Sequence, residues 1–220
     1  MPEPVLSEAD LARVEAAVGS AERRTAGEIV PLIVRHSDDY DAAVWRAAAA
    51  GALVGTAAEL AVAALYDGWG LSWVTSSWAL AGASVAGGIA GALLAAFVPA
   101  VRRVFAGADD LARAVHRRAA QAFLDEEVFD TRDRTGILLF VSLFEHRIEV
   151  VGDSGINAKV ETSEWVEVVD RVRAGIRQND LAGGLVAAVE MCGDLLERRG
   201  VAVREGDTDE LSDRVRLRDS

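Results

Sequence analysis

The chain is poor in the residues that small stapled or metal-built proteins depend on. Its 220 residues include one cysteine, Cys192, which excludes an internal disulfide and every CxxC metal or redox motif. That cysteine lies in an apolar helical pattern, which predicts a buried, inert thiol in preference to a nucleophile. The three histidines, His36, His116 and His146, are scattered, with no HxH or HExxH pair, and are expected as polar loop residues. There is no Walker loop and no nucleotide-binding GxGxxG. Met1-Pro2-Glu3-Pro4 opens a polar N-terminus without a basic region leading into an apolar one, so no secretory signal peptide is expected. Basic residues are outnumbered 23 to 35, for a net charge of −12. Nucleic acid is therefore not an expected partner, because phosphate contacts need clustered Lys and Arg.

Apolar residues are abundant and unevenly placed. They make up 51% of the chain beside 26% charged residues. From Ala47 to Tyr66 the only charge is Glu59, and from Trp73 to Val101 there is none. Each run reaches the roughly 20 residues with which a helix crosses a bilayer. Trp45, Trp69, Trp73 and Trp78 stand near the ends, where amphipathic rings favour a membrane interface. The expected element is a transmembrane hairpin over residues 43–103, with spans at about 47–66 and 76–98. Its connection, Asp67–Ser72, has no Lys or Arg. Arg35 and Arg46 precede it, and Arg102, Arg103, Arg113, Arg117 and Arg118 follow. By the positive-inside tendency both termini are expected on the cytoplasmic side of the inner membrane.

Within the hairpin, Gly51-x-x-x-Gly55 and Gly87-x-x-x-Gly91 supply small faces for close helix contact. That face either closes the hairpin on itself or meets another integral membrane protein. Glu59 falls in the outer half of its helix. It is expected to be protonated or snorkelling, or bonded to Ser76, Ser77 or Ser84, with a partner contact or a proton path as the alternative.

The flanking sequence alternates helix and strand. Ser7 followed by Glu8 and Asp10 marks a capped helix carrying Leu11, Val14, Ala17, Val18 and Ala21. Glu28–Arg35 is expected as a buried strand, with Pro31 placing it near a sheet edge or bulge. Ser37-Asp38-Asp39-Tyr40 then caps the first span. After the second span come a helix from Asp109 to about Glu127, a strand at Ile137–Leu143 and, past a short link, an antiparallel strand at Arg147–Val151. Helices from Trp165 to about Arg177 and from Ala182 to about Arg198 follow. Residues 201–220 are expected as a mobile polar tail. The fold class is thus α/β, with residues 1–42 and 104–200 forming one split domain whose first two strands lie parallel across a helical crossover.

Several ordered motifs carry a family resemblance. They are Arg24-Thr25-x-Gly27-Glu28-Ile-Val, Ser37-Asp38-Asp39-Tyr40, Ala122-Phe123, Thr135-Gly136-Ile-Leu-Leu-Phe-Val-Ser, Arg147-Ile-Glu-Val and the Gly-Asp-x-Gly-Ile turn at 152–156. Together, across about residues 7–198, they resemble the TPM domain, a family of thylakoid, photosystem-repair and nematode receptor-modulator proteins. The likeness is greatest to its bacterial branch, in which a membrane hairpin interrupts the domain. The resemblance implies a Rossmann-like fold in which a short mixed sheet is flanked by helices. It also implies divalent-metal binding in some members, an acid phosphatase activity, and roles beside membrane complexes.

The residues themselves offer two acidic groups as candidate Ca²⁺ or Mg²⁺ ligands. Asp153, with Glu28 and Asp133 flanking the starts of other strands, is one. Asp38 and Asp39, with Asp41, are the other, though a plain turn or capping role serves each as well. No nucleophile–base pair is evident. The leading expectation is a membrane-anchored, non-catalytic accessory protein that binds the lipid bilayer and stabilises a larger membrane complex, photosynthetic or respiratory. A metal-dependent acid phosphatase and a metal-responsive regulatory module are the alternatives.

Overall fold

The computed structural model describes residues 6–65, 73, 76–178, 180–203 and 210–219. The Asp67–Ser72 connection, with Trp69, lies outside these. The elements in order are α1 (Glu8–Glu22), β1 (Glu28–Val34), α2 (Asp41–Leu65), α3 (Ser77–Phe97), α4 (Pro99–Ala106), α5 (Ala108–Asp125), β2 (Gly136–Ser142), β3 (Arg147–Gly152), α6 (Ser154–Asn157), α7 (Trp165–Arg177), α8 (Leu181–Arg198) and β4 (Arg216–Arg218), with a 3₁₀ turn at Thr162–Glu164. The chain divides into two compact units. One is Met1–Ser37 with Arg113–Ser220, and the other is the inserted segment Asp38–Ala112.

The first unit is built on a four-stranded mixed sheet in the order β3-β2-β1-β4. β1 and β2 are parallel, running from Glu28↔Gly136 to Val34↔Ser142, and β3 is antiparallel to β2, from Ile137↔Gly152 to Ser142↔Arg147. Both pairings follow from connection length: a tight link permits only the antiparallel hairpin, whereas parallel neighbours need a long crossover.

Every residue of β1 and β2 is buried, and side-chain alternation divides them between two faces. Ile29, Ile33, Ile137, Leu139 and Val141 join Val14, Val18, Val172, Leu185 and Leu196 of α1, α7 and α8 on one face. Val30, Leu32, Val34, Leu138 and Phe140 meet Val115, Ala119 and Ala122 of α5 on the other. Burying each large side chain stabilises by about 1.5–3 kcal/mol. α1 begins in a capping box: the Ser7 hydroxyl accepts the Asp10 N–H at 3.1 Å, and the Asp10 carboxylate accepts the Ser7 N–H at 3.4 Å.

The tail departs from expectation. Residues 216–218 form β4, parallel to β1 at Leu32, Ile33 and Val34. No periodicity marks three residues as a strand. What recruits them is the unpaired side of β1 and two carboxylates beside it, described below. β1 is therefore internal to the sheet, but β4 covers only its last three residues, so Pro31 lies beyond the paired stretch, where its missing N–H is tolerated.

Candidate functional site

α2 and α3 pack along the glycines that the sequence singles out. A Cβ added at Gly51 would lie 2.1 Å from the carbonyl oxygen of Gly87, and one at Gly87 would lie 2.2 Å from that of Gly51. Gly55 meets the Ala83 carbonyl, and Gly91 the Ala47 carbonyl, equally closely. These are backbone-to-backbone contacts that only glycine permits. Gly51, Gly55, Gly87 and Gly91 are thus consumed inside the hairpin. Their expected role as a face for a foreign helix gives way to the first alternative, closure of the hairpin on itself.

The large apolar side chains of the hairpin point the other way. Leu53 is 72% exposed, Ile89 57%, Trp78 87% and Phe97 79%, with Val54, Leu60, Val85, Leu93 and Leu94 exposed as well. Both helices are long and apolar enough to cross a membrane, and almost none of either apolar window is buried. The core helix of a globular domain would instead hide such a face.

Glu59 lies one turn beyond Gly55. Its Oε1 is shut off from solvent and has no hydrogen-bond partner among the described residues. The expected serine bond does not form. Ser76 caps α3, donating its hydroxyl to the Trp73 carbonyl and accepting the Ala79 N–H at 3.2 Å.

The base of the hairpin is closed by two arginines. α3 breaks at Val98 before Pro99, the first residue of α4. Arg102 folds back so that Nε donates to Ala95 O at 3.0 Å and Nη2 to Ala96 O at 2.8 Å. Arg46 donates from Nη1 to the carbonyls of Phe105 and Ala106, and pairs with Asp110 at 2.9 Å. Cations are thereby placed on the carbonyl ends of α3 and α4, where the helix dipole favours them.

The acidic candidates in the first unit do not gather. Asp153 caps α6, with Oδ1 accepting the Ser154 N–H at 2.6 Å and Oδ2 lying 3.0 Å from Arg134 Nε. Glu28 accepts the backbone N–H groups of Glu210 and Leu211, each at 3.3 Å. Asp133 belongs to the 131–134 turn, whose last carbonyl, that of Arg134, receives the Gly155 N–H at 2.9 Å. In the inserted unit Asp38 accepts the Tyr40 N–H at 3.4 Å, and Asp39 is exposed. Among the described residues no three His, Cys, Asp or Glu side chains are placed to hold a metal ion. Ca²⁺ is held by oxygens converging from several groups, whereas the described acids are engaged singly in caps, turns and backbone bonds.

Two polar groupings were not foreseen. At the carboxyl ends of β1 and β2, Ser142 donates its hydroxyl to Glu145. The same Glu145 accepts the Ser37 N–H at 2.8 Å, and the hydroxyls of Ser37 and Ser142 lie 2.8 Å apart. Ser142 and Glu145 are buried, so the network locks the β2–β3 turn. At the opposite edge Glu126 holds Arg216 at 3.1 Å and Arg218 at 3.0 Å. Partners 105 and 108 residues apart in the first grouping, and 90 and 92 apart in the second, lie outside any local pattern. Cys192 is buried in α8, and burial pushes its thiol up to about 12, so it is inert at neutral pH.

Residues 98–195 match the family model of the TPM domain. The match opens at the α3–α4 break and covers β2 and β3, while β1, the sheet neighbour of β2, comes before the insertion. Among solved structures, the NMR structure of the BA42 protein from the psychrophilic bacterium Bizionia argentinensis is similar, with a TM-score of 0.60 and 17% identity over 99% of this chain and 98% of that one. At that identity the likeness is one of fold. No curated protein matches the chain.

Proposed function

From the TPM domain that the chain carries at residues 98–195, we propose a membrane-anchored, non-catalytic accessory protein that holds a partner in a larger membrane complex. The observation that carries this reading is the inverted hairpin: glycine backbones inside, large apolar side chains outside. Lipid is the surround that such an exterior suits, because it solvates Leu, Ile and Phe as well as another helix would. With its glycines already engaged, the hairpin meets a partner through the outward Val85, Ile89 and Phe97 side. Both termini lie on the cytoplasmic side, since the arginines flank the hairpin base.

Membrane fractions should retain the chain through alkaline carbonate washing. Gly70→Cys should react with an impermeant maleimide from outside intact cells, and Glu210→Cys should not. Purification in mild detergent should bring partner proteins along, and Val85→Ser with Ile89→Ser should release them while the chain remains in the membrane. Release into the carbonate supernatant would sink the anchor. Turnover of a phosphomonoester at about 1 s⁻¹ or faster, abolished by Asp153→Asn, would replace the accessory role with a phosphatase.

A further inference from the structure

We propose that the side of β1 facing away from β2 is a docking groove for an extended, arginine-bearing peptide of a partner protein, with the chain's own C-terminal segment as its tethered occupant. This groove belongs to the sheet unit and is independent of the membrane hairpin.

Three kinds of recognition converge on residues 210–219. The first is to main chain. Beyond the ladder of Leu32, Ile33 and Val34 with Arg216, Leu217 and Arg218, the Arg35 N–H donates to Arg218 O at 3.2 Å. Glu28, almost fully buried, takes the amides of Glu210 and Leu211 on its two oxygens. A carboxylate that accepts backbone N–H groups tolerates any side chain there. The second is apolar: Leu211 packs against the sheet face that carries Val30, Leu32 and Phe140. The third is charge. Residues two apart on a strand project to the same side, so one carboxylate gathers both arginines. Glu126 receives Arg216 Nη1 at 3.1 Å and Arg218 Nε at 3.1 Å, and its own carbonyl accepts Arg216 Nη1 at 2.8 Å. Its side chain is only 12% exposed, which shields the pairs more than at an ordinary surface bridge.

Backbone pairing for affinity with side-chain pockets for specificity is the mode of β-strand addition. The motif selected is a leucine followed, five and seven residues on, by arginines. The resident strand is three residues long with Leu217 and Arg218 exposed, so it is the element of this sheet most readily displaced. A partner segment of the same chemistry would replace it.

The test uses the full chain in detergent and a labelled peptide of residues 210–219. Arg216→Glu with Arg218→Glu removes the resident strand's charge contacts while leaving the groove. The peptide should bind this variant at least 10-fold more tightly than it binds the unmodified chain. Alanine at both arginines of the peptide should erase most of that binding, an arm that changes nothing in the protein. Glu126→Gln in the charge-reversed chain should abolish the preference for the arginine peptide over its alanine version. Equal binding to both chains, binding to neither, or indifference to the peptide's arginines would overturn the proposal. A dimer of the unmodified chain that the peptide dissolves would also overturn it, assigning the groove to a second copy.

Discussion

The hairpin and the sheet unit are solved by opposite rules. In the sheet, large side chains such as Phe140, Leu139 and Ile137 lie fully buried, and the few buried carboxylates, such as Glu28 and Glu145, are hydrogen-bonded. In the hairpin the interior is glycine and alanine backbone, and leucine, isoleucine and tryptophan form the exterior. The sheet gains from removing apolar area from water. The hairpin seam, with little side chain to bury, depends on the close fit of two backbones. Stability therefore responds to opposite substitutions: truncation harms one region and enlargement harms the other.

The sharpest way to break that contrast is Gly87→Leu with Gly91→Leu. Each new Cβ would fall about 2.2 Å from a backbone oxygen of α2, so the helices must separate. Pairing of α2 with α3, followed by distance measurement between labels on the two helices, should be lost outright. Gly82→Leu has open space around it and should change nothing measurable. Equal effects at the two sites would remove the seam as the source of hairpin order.

Next in size is truncation within the sheet. Phe140→Ala should destabilise the sheet unit by about 3–5 kcal/mol, with Leu139→Ala at about 2–5 kcal/mol, read from denaturant midpoints of that unit. A smaller effect is expected at the α1 cap, where Ser7→Ala should cost about 1 kcal/mol. The Ser7 hydroxyl and N–H hold the Asp10 carboxyl below its ordinary range, and Arg199 does the same for Glu164. Both folded-state values lie below the unfolded ones. Their stabilising contributions are therefore in place above the ordinary carboxylate range and fade as pH falls through the depressed values. Ser7→Ala should flatten the acid limb of a stability–pH curve, and a limb unchanged by the substitution would show that the cap contributes nothing to it. The smallest effect is at Cys192: its thiol should resist modification at pH 8 until the sheet unit unfolds. Fast labelling of the folded chain would contradict its burial.

Much of this architecture was legible because it is periodic. Short apolar runs foretold β1 and β2, alternation foretold β3, the helical crossover and the tight link foretold their directions, and long apolar runs, the first broken only by Glu59, foretold α2 and α3. The glycine spacing foretold a seam, but composition could not say whose helix would fill it. Three features escaped because they rest on long-range partners. β4 is recruited by Glu126 and the β1 edge, and Glu28 is turned to the tail's amides. Ser142 and Glu145 become a buried pair only after β1 brings Ser37 beside them. The acids offered as metal ligands are common turn and cap residues, and residue type alone does not separate those uses.

The parallel pairing of β1 with β2 has a consequence for how the chain is made. β1 ends at Val34 and β2 starts at Gly136, 102 residues later, while its other neighbour starts at Arg216, 182 residues on. At about 5–20 residues per second of synthesis, a strand without a single exposed residue waits roughly 5–20 s for its first neighbour. Throughout that interval the nascent chain carries an unsatisfied, aggregation-prone ribbon, and the whole hairpin is synthesised before the ribbon can be covered. Slow translation or delayed handling of the insertion should therefore appear as loss of the sheet unit, although the defect begins elsewhere in the polypeptide.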